Sequence, residues 1–154
     1  MNTQRRRTLR QLAALSAMVA IPAVRAAPPR LEVWKSPTCG CCGKWVDHMR
    51  ANGFEVTSHD VGNLAGWRAK HGMPAKYASC HTARVGGYTL EGHVPAADIQ
   101  RLLRERPDAV GLAVPRMPTG SPGMEVDGTR DAYDVLLVLR DGEAKTFNHY
   151  PALS

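Results

Sequence analysis

The 154-residue sequence has no internal repeat and no low-complexity tract, and its one sustained apolar stretch, Leu12 to Val24, ends quickly at Pro22 and Arg25. These absences exclude a repeat architecture and a stable membrane span. Acidic residues are missing altogether from positions 1–26, which hold Arg5, Arg6, Arg7, Arg10 and Arg25 among the chain's 20 basic residues. Without those five arginines, 15 basic residues face 14 acidic ones. A nearly neutral remainder offers no electrostatic footprint for a polyanion, so nucleic acid is excluded as a partner. The length suits one domain with a real core and leaves little room for a second.

The arginine-rich start has the form of an export signal. A basic segment precedes a short apolar one, and Val24-Arg25-Ala26 supplies small residues for cleavage. Arg6-Arg7-Thr8-Leu9 resembles a twin-arginine signal, although Arg5 stands where Ser or Thr is usual. Either the twin-arginine or the general secretory route fits. The expectation is a periplasmic mature chain, residues 27–154, forming a single domain without a membrane span.

Cysteine is scarce too, with four residues in all, yet three of them fall within Cys39-Gly40-Cys41-Cys42. Export into an oxidising compartment would ordinarily suggest structural disulfides. The spacing argues otherwise: Cys41 and Cys42 are adjacent, and a Cys39–Cys42 bridge closes a loop too small to constrain much of the unfolded chain. Leu31 to Trp34 alternates like a strand, and Val46 and Met49 lie on one helical face with Cys42. A strand, a Pro/Gly turn and a helix beginning near Gly43 place the thiols close to a helix N-terminus, which favours the thiolate.

The rest of the chain reads as a second strand over Phe54 to Thr57 and a second helix within Asp60 to His71. A hairpin follows over Val85 to Gly92, then a helix whose first residue is Pro95 and which Pro107 ends. Gly111 to Gly123 reads as a Pro/Gly-rich loop outside the core, placed to fold back over a site. Val135 to Leu139 and Ala144 to Phe147 form a closing hairpin around Asp141-Gly142. The order is thioredoxin-like: an α/β domain with a mixed sheet flanked by helices and an added C-terminal β-hairpin.

Sulfur-rich sites select Cu(I), zinc or iron–sulfur clusters. Only Cys80-His81 is available as a second half-site, which disfavours a zinc ribbon, whereas Cu(I) tolerates crowded, bridging thiolates. In a thioredoxin-like fold the loop Ser79-Cys80-His81-Thr82 passes beside the cysteine turn and brings a fourth sulfur. His81 is a ligand or a neighbour to one, unless strand alternation turns it away. Met117 and Met124 are further soft donors or ordinary packing residues. His93 reads as a structural histidine, and His48, His59, His71 and His149 form no constellation. Trp34 and Trp45 flank the turn as core and as a shield from water. The competing function is a thiol–disulfide oxidoreductase in which Cys39 attacks and Cys42 resolves.

Several motifs together carry a resemblance: Cys39 to Trp45 (CGCCGKW), Ser79 to Ala83 (SCHTA), Glu91 to Pro95 (EGHVP), Gly111 to Glu125 and Tyr133 to Leu137 (YDVLL). In these the chain resembles the uncharacterised-domain family of metal-binding proteins that includes the periplasmic copper-resistance protein CopG. The resemblance implies a thioredoxin-like domain binding copper, one ion or several, through Cys39, Cys41, Cys42 and Cys80. It also implies a role in copper redox handling and tolerance alongside periplasmic copper-handling proteins. Met117 and Met124 match the family's methionine loop. No His-rich or Met-rich tail is present for bulk storage.

Overall fold

The computed structural model describes residues 27–154. The export segment expected over residues 1–26 lies outside the described residues. Strand β1 (Arg30–Lys35) leads through the cysteine turn into α1 (Gly40–Ala51), then β2 (Glu55–Asp60) and α2 (Leu64–Lys70). A short 3-10 turn (Ala75–Tyr77) precedes β3 (His81–Val85) and β4 (Tyr88–Glu91), followed by α3 (Ala96–Glu105). Strands β5 (Gly111–Ala113), β6 (Tyr133–Val138) and β7 (Ala144–Tyr150) complete the chain. Among the described residues, no helix is long and apolar enough to cross a membrane.

One seven-stranded sheet runs in the order β2-β1-β3-β4-β5-β6-β7. β1 pairs parallel with β2 and antiparallel with β3, and β3 pairs antiparallel with β4. These four strands with α1, α2 and α3 are the thioredoxin arrangement expected from the element order. β5, β6 and β7 widen it, with β5 parallel to β4 and the last two strands antiparallel to their neighbours.

Alternation along the strands divides the apolar residues between two faces. Leu31 and Val33 pack with Trp45, Val46 and Met49 of α1 and with Ile99 and Leu102 of α3. Trp34 points the other way and stacks on Trp67 of α2, with ring centroids 4.7 Å apart. Further along that face, Met73 and Tyr77 pack against Ala113 and Val138. Trp45 is fully buried, and its indole N–H donates to the Val94 carbonyl at 2.9 Å. It is core.

Several boundaries differ from the sequence expectation. α1 starts three residues earlier than Gly43, because Cys39 already acts as its N-cap and accepts from the Gly43 N–H at 3.3 Å. The helix then closes as a Schellman motif, with Gly53 N–H to Arg50 O at 3.1 Å and Phe54 N–H to Met49 O at 3.2 Å. α2 is shorter than expected: Asp60 belongs to β2, and the Asn63 side chain caps the helix by accepting from Gly66 N–H at 2.9 Å. Pro95 is the N-cap of α3 and not its first residue, since its backbone is extended while its carbonyl accepts from Ile99 N–H.

The largest correction concerns Gly111 to Gly123, expected to be a loop outside the core. Gly111, Leu112 and Ala113 are a buried strand held on both sides, and Val114 and Ser121 are buried as well. Glycine is required at the start of this strand, because a side chain at 111 would collide with the Thr89 carbonyl. The local composition reads as a loop, and pairing on both edges overrides it.

Candidate metal centre

Cys39 is the N-cap of α1, so Cys41 and Cys42 are its second and third residues. Three sulfurs therefore crowd one helix N-terminus whose first turn contains no acidic residue. Cys80 arrives from the residue just before β3. The Sγ atoms of Cys39, Cys41, Cys42 and Cys80 all lie within 4.8 Å of one another.

Cys39 and Cys42 are joined in a disulfide, while Cys41 and Cys80 are free. The sequence spacing had counted against a bridge here. The N-cap and third helical residue lie on the same side of the first turn, however, and their Cα atoms are 5.4 Å apart, within the usual disulfide range. Cys41 Sγ is 3.5 Å from Cys39 Sγ, and Cys42 Sγ touches the Cys80 carbonyl at 3.5 Å. Opening this one bridge presents four thiols to a common point.

A second donor group shares Cys80. Its Sγ is 3.3 Å from His81 Nδ1 and 3.0 Å from His93 Nε2, and the three residues form a compact set of potential ligands. Strand alternation does not carry His81 away from the site as the sequence allowed. It is the first residue of β3, fully buried, with its ring 4.3 Å from that of Trp45 and 5.1 Å from that of His93. His81 Nε2 is buried without a hydrogen-bond partner.

His93, which the sequence reads as structural, is buried with a polar partner on each ring nitrogen, and it also stands beside Cys80. Its Nδ1 lies 2.8 Å from the Pro122 carbonyl, so Nδ1 carries the proton and donates. The other nitrogen, Nε2, faces Cys80, and its lone pair accepts from the thiol at 3.0 Å. An imidazole oriented in this way through its second nitrogen is the usual arrangement of a metal-binding histidine.

Burial sets the protonation of this half of the site. It pushes the Cys80 thiol up to about 12, and the neighbouring Cys41 adds to the effect. Desolvation holds His81 well below the ordinary imidazole range, with His93 adding to the depression, and His93 is lowered by desolvation as well. Without a metal this half is a neutral thiol beside neutral imidazoles. A metal cation would have to displace the Cys80 proton to bind sulfur, and would supply the charge that makes the thiolate stable.

The segment after β5 packs over the cysteine turn, as the sequence suggested it would. Gly123 lies so close to α1 that a Cβ there would come within 2.8 Å of the Cys41 carbonyl and 2.9 Å of Trp45 N. Its φ of +88° independently favours glycine. The Ser79 hydroxyl donates to the Arg116 carbonyl, tying the same segment to the Cys80 loop.

Met117 is 48% exposed and lines a cavity of about 590 Å³ together with Asp131, Tyr133, Asp134 and His149. Met124 is half-buried in the covering segment. The remaining histidines lie apart from both donor groups. His48 accepts from Ala96 N–H at 3.4 Å, His149 pairs with Asp134 at 2.6 Å, and His59 and His71 pack against Trp34.

A thioredoxin-like α/β domain carrying a four-cysteine cluster capable of holding a soft metal is the class of protein that this geometry defines. The DUF411 family, described as a protein of unknown function, matches residues 77–124, the span from the Cys80 loop through the covering segment. Two solved structures, of "Copper resistance protein copG" in forms 1 and 2, are each 47% identical to the chain with a TM-score of 0.77. Both cover 80% of this chain, which in turn covers 98% and 99% of theirs. No curated protein matches. The chain belongs to the CopG-like DUF411 family.

Proposed function

We propose that the protein holds Cu(I) in a thiolate site made by Cys39, Cys41, Cys42 and Cys80, with His93 as a nitrogen donor beside Cys80, and that it serves copper tolerance. The observation that carries this reading is the convergence of four sulfurs from two separate segments to within 4.8 Å. Thiolates are soft and stabilise the reduced ion, and short bridging distances suit a site for more than one copper ion. The likeness to a copper resistance protein favours copper over zinc. Met117 and Met124 are proposed as auxiliary thioether donors. His81 is proposed as a buried neighbour that keeps water from the cluster and as a reserve ligand. Export of residues 27–154 to the periplasm, by the twin-arginine or the general secretory route, fits a task of intercepting copper with partner copper-handling proteins.

The Cys39–Cys42 disulfide favours a second reading, in which the pair exchanges electrons. As a dithiol it can reduce two Cu(II) ions to two Cu(I), losing two electrons and two protons and ending as the disulfide. It can equally exchange with a thiol or disulfide of another protein.

The test is an anaerobic titration of the reduced residue 27–154 chain with Cu(I) against a chromophoric chelator, repeated with zinc. Tight copper binding that disappears on alkylating the cysteines is the expected result. Weak binding that is indifferent to alkylation would overturn the copper reading and leave thiol exchange.

A further inference from the structure

We infer that Arg68 and Glu91 are positioning residues for Cys80: a buried ion pair on the opposite face of the sheet that fixes where the fourth sulfur stands. The inference rests on the proposed thiolate site. Its evidence is separate, because neither residue is among the proposed ligands.

Glu91 is fully buried at the end of β4, and Arg68 of α2 is nearly so. Arg68 Nε donates to Glu91 Oε1 at 2.8 Å. The same oxygen accepts from Ser79 N–H at 2.7 Å, while Oε2 accepts from the Thr82 hydroxyl at 2.7 Å. Arg68 Nη2 reaches past the carboxylate and donates to the Ser79 carbonyl at 3.0 Å. One carboxylate thus grips the residue before Cys80 and the second residue after it. The guanidinium holds the oxygen of the peptide bond that enters Cys80.

The other side of the hairpin is tied to the same residue. The Gly92 N–H donates to His81 O at 2.9 Å, and the Glu91 carbonyl accepts from Val114 N–H at 2.9 Å. Cys80 and His93 therefore leave two strands that are locked together next to Glu91.

A buried ion pair is a poor investment for stability alone, since desolvating two charges cancels much of their attraction. The arrangement is better explained by geometry. Cys80 precedes β3 and has no strand pairing of its own, so the ladder stops short of holding it. A metal site needs its donors fixed before the ion arrives, or binding must order the loop. The planar fork of arginine suits the task, because it spans a carboxylate and a carbonyl at once.

The test compares Glu91→Ala with Glu91→Gln, which keeps an acceptor oxygen for Ser79. In the metal-free, reduced chain, the alkylation rates of Cys80 and Cys41 are measured by mass spectrometry, and Cu(I) affinity is measured in parallel. In Glu91→Ala, Cys80 alkylation should rise about tenfold relative to Cys41 and Cu(I) affinity should fall about 10- to 100-fold, with Glu91→Gln recovering most of both. Equal acceleration of the two cysteines would mark general loosening and overturn the inference, as would no change in either rate. If Glu91→Ala does not fold, Arg68→Lys replaces it under the same criteria, since lysine can pair with Glu91 but cannot also span to Ser79. A wild-type chain that fails to bind Cu(I) would sink the copper reading while the alkylation result still decides the positioning role. Tight wild-type binding with unmoved Cys80 reactivity would sink the positioning role alone.

Discussion

His93 Nε2 stands 3.0 Å from Cys80 Sγ because the hairpin between them turns at Gly86-Gly87. Counting outward from that two-residue turn pairs Val85 with Tyr88, Arg84 with Thr89, Ala83 with Leu90 and Thr82 with Glu91. Two further steps set Cys80 opposite His93. The Pro122 carbonyl then fixes the imidazole tautomer from the far side. Donor identity, register and orientation thus come from three different segments.

Substituting His93 tests whether that geometry is used. His93→Ala removes a nitrogen donor and the acceptor for the Cys80 thiol, so Cu(I) affinity should drop by about tenfold or more in chelator competition. His48→Ala, which alters a histidine outside both donor groups, should leave affinity within about twofold. Equal effects of the two substitutions would remove His93 from the site.

The hairpin also shows how much of the site was legible in the sequence. Gly86-Gly87 was visible as a turn, and the Cys80 loop was expected beside the cysteine turn. Carrying the register two residues past the Thr82–Glu91 pair would have placed His93 opposite Cys80, but a Gly-His-Val-Pro stretch before a helix looks like an ordinary connection. The core of the fold was legible because alternation around Leu31 to Trp34 and helical spacing after Cys42 are local signals. Gly111 to Ala113 was not, since a three-residue strand bounded by glycine and proline owes its existence to β4 and β6. Arg68 and Glu91 lie 23 residues apart and nothing local marks them as a pair.

Acid should weaken the metal-free fold. His81 is held neutral by burial, and His48, His71 and His93 are lowered by desolvation too. The unfolded chain takes up protons near pH 6.5 where the folded chain does not, so this stability is complete above that pH and is lost as pH falls below it. While His81 is charged in the unfolded chain and neutral in the folded one, it contributes a slope of about 1.4 kcal/mol per pH unit below 6.5. Urea unfolding at pH 7.0 and 5.5 should show the loss, and His81→Leu should flatten it. An unchanged slope in that variant would mean that His81 gains a proton in the fold.

The covering segment can be loosened at one atom. Gly123→Ala places a methyl against the Cys41 carbonyl and Trp45 N and imposes an unfavourable φ. A cost of about 1–3 kcal/mol is expected for the strained backbone, relieved by movement of the segment. Pro122 then withdraws from His93 Nδ1. Proteolysis within residues 114–124 should quicken before the midpoint of global unfolding moves by much. A variant as resistant as wild type would show that the segment accommodates the methyl without leaving the site.

Cys41 separates the two readings of the cluster. It lies 3.5 Å from Cys39 Sγ but outside the Cys39–Cys42 disulfide. A thiolate metal site loses a donor in Cys41→Ala, so copper capacity and affinity should both fall, affinity by about an order of magnitude or more if one ligand is removed. An oxidoreductase loses only a competitor. A thiolate so close to the bridge can attack it and scramble the pairing, and removing it should leave exchange with a small dithiol unchanged or cleaner. Measuring copper stoichiometry and the Cys39–Cys42 reduction potential on the same variant gives both answers. Lost copper with an unmoved potential assigns Cys41 to metal, because its place in the first turn of α1 then serves no step of disulfide exchange. Retained stoichiometry and affinity would leave that sulfur without a role in copper binding, and would place the chemistry of the turn in the Cys39–Cys42 pair.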